Sequence, residues 1–373
     1  MKVFFTQDTL INAGTEKSLL FTIPYFSKEI SCTVIYLYSR HDLKEAYEKA
    51  GIPVIFLNLE GKYGFLSGYK KLSKLLREET PDLVVSSLFR ANILSRFVCK
   101  SLSIPLIGTL VSDSYSEIVL KKKSFFQLQK FKFFWGLDRF TAGIPNLYIA
   151  NSSFIAKSHI KTLGVPIEKT KVVYRGRNIP SQVWKKSAAD TFEFLSFGRL
   201  LQIKGFEELI QAFAKVHSKY PNSRLVIYGE GLHRPILERL IKELNLTHSV
   251  SLPGVIPNVT EMLYQADCFV FPSWYEGFSG ALVEAMMAGI PIIASDIPMN
   301  LEAVNPEENA LTFPVRDVKA LIQKMEYAIT HQNEMAELGK NARREACRRF
   351  DIQVIAKQYE AVLREAYLKY AAH

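Results

Sequence analysis

Short runs of apolar, β-branched and aromatic residues alternate along the whole chain with stretches that have the period of an amphipathic helix. Alternation of this kind is typical of βα units arranged around parallel sheets. In the first half the pattern predicts strands at residues 3–5, 33–36, 54–57, 83–86, 106–109, 147–150 and 171–174. In the second half it predicts strands at residues 193–197, 224–228, 250–252, 268–271 and 290–294, followed by three helices. The pattern therefore indicates an α/β protein.

The alternation is interrupted by a polar stretch from Arg177 to Asp190 that has no clear period. A chain of 373 residues suits two domains, each able to bury its own core. We therefore predict a first domain at residues 1–178, a linker at 179–190 and a second domain at 191–351. The last predicted helix covers residues 352–373.

The net charge is divided unevenly between the two halves. The whole chain carries +10, with residues 1–190 at +13 and residues 191–373 at −3. This asymmetry indicates an anionic partner for the first half only: an anionic membrane surface, a phosphorylated acceptor or nucleic acid. No nucleic-acid-binding module is visible in the sequence, so we predict no nucleic-acid partner.

The cysteines and the apolar segments indicate a compartment. The four cysteines, at positions 32, 99, 268 and 347, are scattered and predict free thiols in a reducing environment. The apolar run at the N-terminus ends too early for a signal peptide, and no segment approaches the ~20 apolar residues that span a bilayer. We predict a cytoplasmic protein that associates peripherally with the inner face of the cell membrane.

Two carboxylates eight residues apart flank the start of a predicted helix. Glu276 lies in the loop after the buried strand 268–271, and Glu284 lies on the helix that Ser279 and Gly280 open. The backbone N–H groups and the dipole at a helix start bind anions. Carboxylates accept hydrogen bonds from hydroxyl groups. The stretch therefore suits a ligand with hydroxyls at both ends and a phosphate between them, such as a nucleotide sugar.

The same carboxylates could instead be the acid and nucleophile of a glycosidase, whose carboxyl groups lie roughly 5–10 Å apart around one bond. Eight mostly helical residues separate them by up to about 12 Å along the axis. The spacing favours contacts with two different parts of one ligand. Helix-capping and surface glutamates are the structural alternative.

Two cations flank another predicted strand-to-helix turn. Arg199 follows Gly198 at the end of a strand, and Lys204 precedes Gly205 at the start of a helix. Cations in this arrangement can clamp a diphosphate and stabilise the charge of a leaving nucleoside diphosphate. Two solvated surface charges are the alternative.

Gly14 lies in the first βα turn, where a missing side chain lets the backbone approach a ligand.

These stretches resemble the retaining glycosyltransferases of family 4. Glu276 and Glu284 match the Glu-x7-Glu signature of that family. Further similar motifs, in the order of the family, are Asn12-Ala-Gly-Thr-Glu16, Ala150-Asn-Ser-Ser153, Phe197-Gly-Arg-Leu200 with Lys204-Gly205, Leu225-Val-Ile-Tyr-Gly-Glu-Gly231, Leu252-Pro-Gly254, Ala266-Asp267 and Ala294-Ser-Asp296. The resemblance spans nearly the whole chain and is most specific in its second half.

The resemblance implies a GT-B fold, in which two Rossmann-like domains with parallel sheets face each other across a nucleotide-sugar site. It also implies that the last helix returns to the first domain. The catalytic residues would be Glu276, at the donor sugar, with Arg199 and Lys204 at the diphosphate. The donor-binding residues would be Gly14, Gly205, Val255, Ile256, Gly277, Phe278, Ser279, Gly280 and Glu284, with Glu284 at the ribose and the backbone of Val255 and Ile256 at the nucleobase.

The expected co-substrate is a UDP- or GDP-sugar. The seven histidines form no cluster with ligand spacing and no paired-Asp motif stands out, so we expect neither a cofactor nor a metal. The chain also departs from the family. Ala13 replaces the first glycine of a Gly-Gly pair, and Ser112 and Asp113 stand where many relatives have a histidine. Asp296-Ile-Pro-Met-Asn300 lacks a second Gly-Gly pair. The last two regions shape the sugar pocket, so the donor sugar is not carried over.

Residues 121–139 mix basic and aromatic side chains, a composition typical of helices at a membrane surface. The candidate residues for contact with a membrane or acceptor are Lys121, Lys122, Lys123, Lys130, Lys132 and Trp135. A core-packing helix with a solvated basic face is the main alternative. Binding of single-stranded nucleic acid is a third.

We therefore predict a retaining glycosyltransferase that transfers a sugar from a nucleoside-diphosphate sugar to an acceptor. The basic first half indicates that the acceptor is a lipid-linked saccharide of a cell-surface polysaccharide pathway. The alternatives are a transferase with a soluble acceptor, a catalytically inactive GT-B scaffold at the membrane, and a nucleotide-sugar epimerase.

Overall fold

The computed structural model describes residues 1–61, 64–113, 115, 124–186 and 189–370. The chain divides into two compact units. The first contains residues 1–176 and the C-terminal residues from 352 onward, and the second contains residues 177–351.

The first unit is built on a parallel sheet with seven strands in the described residues, in the order β3-β2-β1-β4-β5-β6-β7. These strands are β1 (Lys2–Gln7), β2 (Ser31–Tyr36), β3 (Val54–Phe56), β4 (Leu83–Ser86), β5 (Leu106–Leu110), β6 (Leu147–Ala150) and β7 (Thr170–Val172). The helices between them are α1 (Gly14–Thr22), α2 (Lys44–Lys49), α3 (Phe65–Glu79), α4 (Phe89–Leu102), α5 (Phe125–Thr141) and α6 (Ser153–Leu163).

Both faces of this sheet are covered. Successive residues of a strand point to opposite faces, and in β1 Val3 packs in one apolar cluster while Phe4 packs in another. The first cluster contains Leu19 of α1, and the second contains Leu94 of α4. Burial on both faces explains why the strands appear in the sequence as nearly continuous apolar runs.

The second unit contains, among the described residues, a parallel sheet of six strands in the order β10-β9-β8-β11-β12-β13. They are β8 (Phe192–Phe197), β9 (Ser223–Tyr228), β10 (Val250–Gly254), β11 (Cys268–Phe271), β12 (Ile292–Ser295) and β13 (Leu311–Phe313). The helices are α7 (Phe206–Lys219), α8 (Arg234–Glu243), α9 (Gly280–Ala288), α10 (Pro298–Leu301), α11 (Val318–Thr330) and α12 (Gln332–Phe350). The three-residue strand β13 was not predicted from the sequence, because its apolar run is too short to show a period.

The last helix, α13 (Ile352–Tyr370), belongs to the core of the first unit. Its buried residues Ile355 and Leu363 lie in the same apolar cluster as Val3 and Phe5 of β1. At the start of α13, Ile352 lies so close to Gly176 that a side chain at position 176 would meet the backbone of Ile352. The chain therefore leaves the first unit at residue 176 and re-enters it at residue 352 at two positions that pack against each other.

The polar stretch that the sequence suggested as a linker is attached to the second unit. Trp184 is buried, its indole Nε1 donates to the carbonyl of Ala266 at 2.7 Å, and its backbone N–H donates to Ala288 at 2.9 Å. The guanidinium of Arg343 donates to the carbonyl of Pro180 at 2.9 Å. One large aromatic residue within a polar run thus anchors a segment that lacks any helical or strand period.

All four cysteines are free, and Cys99 and Cys268 are buried. Burial raises the pKa of the Cys268 thiol well above its usual range, so this thiol stays protonated and unreactive. No helix in the described part of the chain has the length and apolar character needed to cross a bilayer.

The packing of α13 can be tested with two leucines of the same helix. Leu363 is fully buried in the first unit, and Leu368 is exposed. Leu363→Ala should lower the free energy of unfolding by about 2–4 kcal/mol, because it leaves a cavity in the core. Leu368→Ala should change it by less than about 0.5 kcal/mol. Denaturant titration of both variants checks this, and equal effects would contradict the assignment of α13 to the core.

Candidate functional site

The predicted donor-binding residues of the second unit surround the middle of its sheet. β8 and β11 are neighbours there, and the chain order reverses between them, since β9 lies on one side of β8 and β11 on the other. In open parallel sheets, ligands bind beyond the carboxyl ends of the strands at such a point. The loop after β8 carries Arg199 and Lys204, and the loop after β11 carries Glu276.

Lys204 and Glu276 meet across these two loops. The ammonium of Lys204 forms an ion pair with Oε1 of Glu276, and the two side chains are 15% and 13% exposed. The backbone N–H of Trp274 donates to the carbonyl of Ile203 at 2.8 Å, which joins the loops directly. Lys204 Nζ also lies 5.9 Å from the ring centroid of Phe271. Two of the three predicted catalytic residues therefore form one partly buried ion pair.

Gly205 explains how the loops come so close. Its φ of +69° is a left-handed conformation that favours glycine, and a Cβ at this position would overlap the carbonyl oxygen of Pro272. Gly205 is also the N-cap residue, immediately before the first residue of α7. A residue with a side chain here would push the two loops apart and separate Lys204 from Glu276.

Glu284 lies one turn into α9, whose start is capped by Ser279. The hydroxyl of Ser279 accepts a hydrogen bond from the backbone N–H of Leu282 at 3.3 Å. Oε1 of Glu284 accepts from Nε of Arg177 at 2.5 Å, and the same guanidinium lies against Gly280. The site thus contains a third cation, Arg177.

Arg177 was not predicted as a site residue, because it lies at the end of the first domain predicted at residues 1–178, where no family motif marks it. No pattern in the sequence distinguishes Arg177 from the other basic residues of the polar stretch. Its partner is 107 residues away, and no spacing rule connects the two.

The other residues predicted for the donor site belong to neither of these two ion pairs. Arg199 is exposed, and among the described residues its side chain has no hydrogen bond or ion pair. Val255 is 69% exposed and follows β10, two strands from β8. Ile256 beside it is half-buried, as is Gly277. Phe278 is buried against Phe350, with ring centroids 5.3 Å apart, so its side chain serves packing.

Gly14 belongs to the first unit, where it begins α1. A Cβ at this position would lie 2.7 Å from a guanidinium nitrogen of Arg175, so the glycine leaves room for that cation.

Near the end of β5, Asp113 accepts a hydrogen bond from the hydroxyl of Ser158 at 2.6 Å, and the carbonyl of Ser112 is hydrogen-bonded to the ring of His159 at 2.9 Å. Burial lowers the pKa of His159, which favours the neutral imidazole.

The predicted membrane-binding residues have different surroundings. Lys121, Lys122 and Lys123 lie outside the described residues. Lys130 and Lys132 are exposed on α5. Trp135 differs from the expectation, because it is half-buried and its Nε1 donates to the carbonyl of Thr162 at 3.0 Å. Its ring stacks with that of Tyr115, with centroids 6.1 Å apart. Trp135 therefore holds α5 against its own unit.

The exposed face of α5 carries a row of aromatic residues that the sequence analysis did not separate from the others. Phe126, Phe133 and Phe140 are 84%, 68% and 86% exposed. They are spaced seven residues apart, a spacing that drifts by only about 20° per step on a helix. Lys130 lies beside the row, four residues after Phe126 and three before Phe133, and Lys132 lies on the other side of the row, about 100° around the helix. We call these three phenylalanines the Phe row.

Comparison with known proteins identifies the family. A model described as "Glycosyltransferase Family 4" matches residues 14–179, and one described as "Glycosyl transferases group 1" matches residues 180–345. The chain belongs to glycosyltransferase family 4. The family predicted from the motifs is thereby confirmed.

The chain is also similar to named glycosyltransferases over most of its length. The chain is 24% identical to the capsular polysaccharide biosynthesis glycosyltransferase CapM of Staphylococcus aureus, over 80% of each chain. It is 23% identical to an N,N'-diacetylbacillosaminyl-diphospho-undecaprenol alpha-1,3-N-acetylgalactosaminyltransferase of Campylobacter jejuni, over 79% of this chain and 80% of that one. Matches to several other relatives span only 18–64% of their length.

The fold matches a crystal structure of Anabaena HepE (Alr3699) in complex with UDP, with a TM-score of 0.85 over 98% of this chain and 100% of that one, at 22% identity. This confirms the GT-B fold with its two parallel-sheet α/β domains. The location and roles of the donor-binding residues stay predictions.

The close approach at Gly205 can be tested against a second left-handed glycine of the same unit. Gly289 has a φ of +81°, but a Cβ there would make only ordinary contacts, the nearest at 3.5 Å. Gly289→Ala should cost about 1–2 kcal/mol of stability from its backbone conformation alone. Gly205→Ala should cost about 1–3 kcal/mol more, because it also overlaps Pro272. Denaturant unfolding measures the difference, and equal losses would mean that the loops do not depend on this contact.

Proposed function

We propose that the protein transfers a sugar from a UDP- or GDP-sugar to an acceptor hydroxyl, with retention of configuration and without a metal or cofactor. The observation that supports this most directly is the Lys204–Glu276 ion pair at the carboxyl ends of β8 and β11. A cation and a carboxylate held together there offer one group for the diphosphate and one for the donor sugar. Glu284, eight residues beyond Glu276, offers a carboxylate for the ribose.

In the proposed reaction, the bond between the anomeric carbon and the β-phosphate oxygen breaks, and the acceptor oxygen bonds to the anomeric carbon. The proton of the acceptor hydroxyl passes to the leaving phosphate. Negative charge grows on that phosphate, so Lys204 and Arg199 would bind the transition state more tightly than the ground state. The ammonium of Lys204 has three donors, which allows it to keep Glu276 while contacting phosphate.

The direct experiment is to measure hydrolysis and transfer with a panel of UDP- and GDP-sugars. Nuclear magnetic resonance of the glycosidic product gives its anomeric configuration. An α-linked product from an α-linked donor supports retention. An inverted product would contradict the proposed stereochemistry, and absence of binding to every nucleotide sugar would contradict the transferase itself.

Replacing each of the two glutamates by glutamine should change a different kinetic parameter. Glu284→Gln should mainly raise KM, because ribose contacts are shared by the ground and transition states. Glu276→Gln should mainly lower kcat, because charge redistributes at the donor sugar. The loss of transition-state stabilisation should be about 2–4 kcal/mol. Steady-state kinetics of this matched pair tests the roles. A Glu276→Gln variant with unchanged kcat would show that the assignment is wrong.

We further propose that the acceptor is a lipid-linked saccharide of cell-surface polysaccharide biosynthesis, met at the inner face of the cell membrane. The Campylobacter relative is named for a diphospho-undecaprenol-linked saccharide, and the Staphylococcus relative is named for capsular polysaccharide biosynthesis. The +13 charge of residues 1–190 complements the diphosphate of such an acceptor and the headgroups around it. A soluble acceptor is the competing possibility.

The Phe row supports a membrane contact through α5. Three exposed phenylalanines in line would cost free energy in water, whereas rings of this kind are stabilised in the interfacial layer of a bilayer. Lys130 and Lys132 beside the row would meet anionic headgroups. The opposite face of α5 packs inward through Trp135 and Phe131, so the helix can present the row without losing its own core contacts.

Replacing the row by serine, in Phe126→Ser/Phe133→Ser/Phe140→Ser, should weaken binding to phosphatidylglycerol vesicles by about 1–2 kcal/mol per ring. The control is Leu66→Ser/Leu232→Ser/Leu368→Ser, which removes three equally exposed apolar residues that form no row. Co-sedimentation at low and high salt measures both. If the wild type ignores these vesicles, or the two triple variants bind equally, α5 is not the membrane contact.

A further inference from the structure

Arg177 occupies an unusual place for a cation. Its Nε donates to Glu284 at 2.5 Å, and the two side chains are only 11% and 23% exposed. Its guanidinium lies so close to Gly280 that a Cβ at position 280 would overlap it. Its backbone N–H donates to the carbonyl of Phe350 at 2.9 Å, which fixes the main chain from which the side chain extends. Arg177 is therefore held in position from both ends.

Gly280 is the first residue of α9, so the guanidinium lies at the positive end of a helix dipole. A cation at that end is repelled by the dipole, whereas an anion is attracted by it. Glu284 supplies one negative charge, and its second oxygen leaves room for another donor. A ligand with further negative charge at the start of α9 would satisfy both the dipole and the guanidinium.

A nucleoside diphosphate has groups that match these two features. Its phosphates carry pairs of acceptor oxygens, and the planar fork of a guanidinium binds such pairs more specifically than the ammonium of lysine does. Its ribose hydroxyls can donate to the Glu284 carboxylate, whose direction is fixed by its bond to Arg177. The pair of Arg177 and Glu284 thus presents a phosphate-binding donor and a ribose-binding acceptor side by side.

We propose that Arg177 is a third phosphate-binding cation of the donor site, and that it makes the site select nucleoside diphosphates over nucleosides while it orients Glu284 for the ribose. This inference rests on the proposed function. It adds a residue to the site, since Arg199 and Lys204 were the only cations expected there from the motifs. The guanidinium keeps its bond to Glu284 when the nucleotide binds and contacts the phosphate through the edge that now lies at Gly280.

The experiment measures dissociation constants for UDP, UMP and uridine, or for the guanosine series if the wild type prefers it, by isothermal titration calorimetry. Arg177→Gln should weaken UDP binding by about 10- to 100-fold, because a charge-assisted hydrogen bond is lost. Uridine binding should fall by less than about 3-fold, because only the orientation of Glu284 changes. Arg177→Lys should recover part of the UDP affinity, since it restores the charge without the fork.

The matched control is Arg224→Gln. Arg224 also forms an ion pair with a partly buried glutamate of the second unit, Glu193, but this pair lies near the amino ends of β8 and β9, at the opposite edge of the sheet. Its removal should leave all three dissociation constants unchanged. Thermal unfolding of both variants shows whether breaking either pair alters the fold.

The outcomes separate the inference from the function on which it rests. If the wild type binds neither UDP nor GDP, the proposed function fails. If the wild type binds and Arg177→Gln binds UDP equally well, only the inference fails. Equal losses for UDP and uridine would mean that Arg177 positions Glu284 and does not touch phosphate, which overturns the proposed selectivity. In that case the double variant Arg177→Gln/Glu284→Gln should lose less UDP-binding free energy than the sum of the two single variants, because both substitutions break the same ion pair.

Discussion

The candidate site depends on the close approach of Gly205 to Pro272, where a Cβ at position 205 would overlap the carbonyl oxygen of Pro272. This approach brings the loops after β8 and β11 together backbone to backbone. Similar approaches occur beside it, where Gly229 meets the carbonyl of Gly198 and Gly231 meets that of Leu200. No side chain can be inserted at these positions without moving a main chain. The loops at this edge of the sheet are therefore fixed before any ligand is considered.

A fixed backbone allows charged side chains to be held where water is scarce. The side chains of Lys204 and Glu276 are each less than one-sixth exposed, and those of Arg177 and Glu284 are 11% and 23% exposed. Partly buried pairs are more costly to break than surface pairs, because the partner left behind is poorly solvated. Both pairs combine one cation with one carboxylate at the carboxyl edge of one sheet. Such a site presents donors to phosphate and acceptors to hydroxyls at the same time, which suits a nucleotide sugar.

The two units differ in what their surfaces present. The first unit carries the excess positive charge and a helix with an exposed row of phenylalanines, and the second carries the ion pairs of the candidate donor site. The helix α13 is separated by 175 residues from the rest of the first unit in the sequence, yet it lies in that unit's core. Within the first unit, Gly176 packs against Ile352. Within the second unit, the backbone N–H of Arg177 donates to the carbonyl of Phe350.

The sequence by itself determined the α/β architecture, twelve of the strands and the family. It could do so because a parallel sheet is buried on both faces, so its strands appear as apolar runs, and because the motif residues lie in short loops whose spacing is local. It also indicated Lys204, Glu276 and Glu284 as residues of one site, although their roles are still predictions.

Only the tertiary structure decided which charges meet. Arg177 and Glu284 are 107 residues apart, and their pairing follows from the fold of the second unit. In the same way, the mixture of rings on α5 was visible in the sequence, but the packing of Trp135 decided that Phe126, Phe133 and Phe140 face outward. Composition and spacing record which groups are available. Which of them are buried, paired or exposed depends on contacts between distant segments, and these form only when the chain has folded.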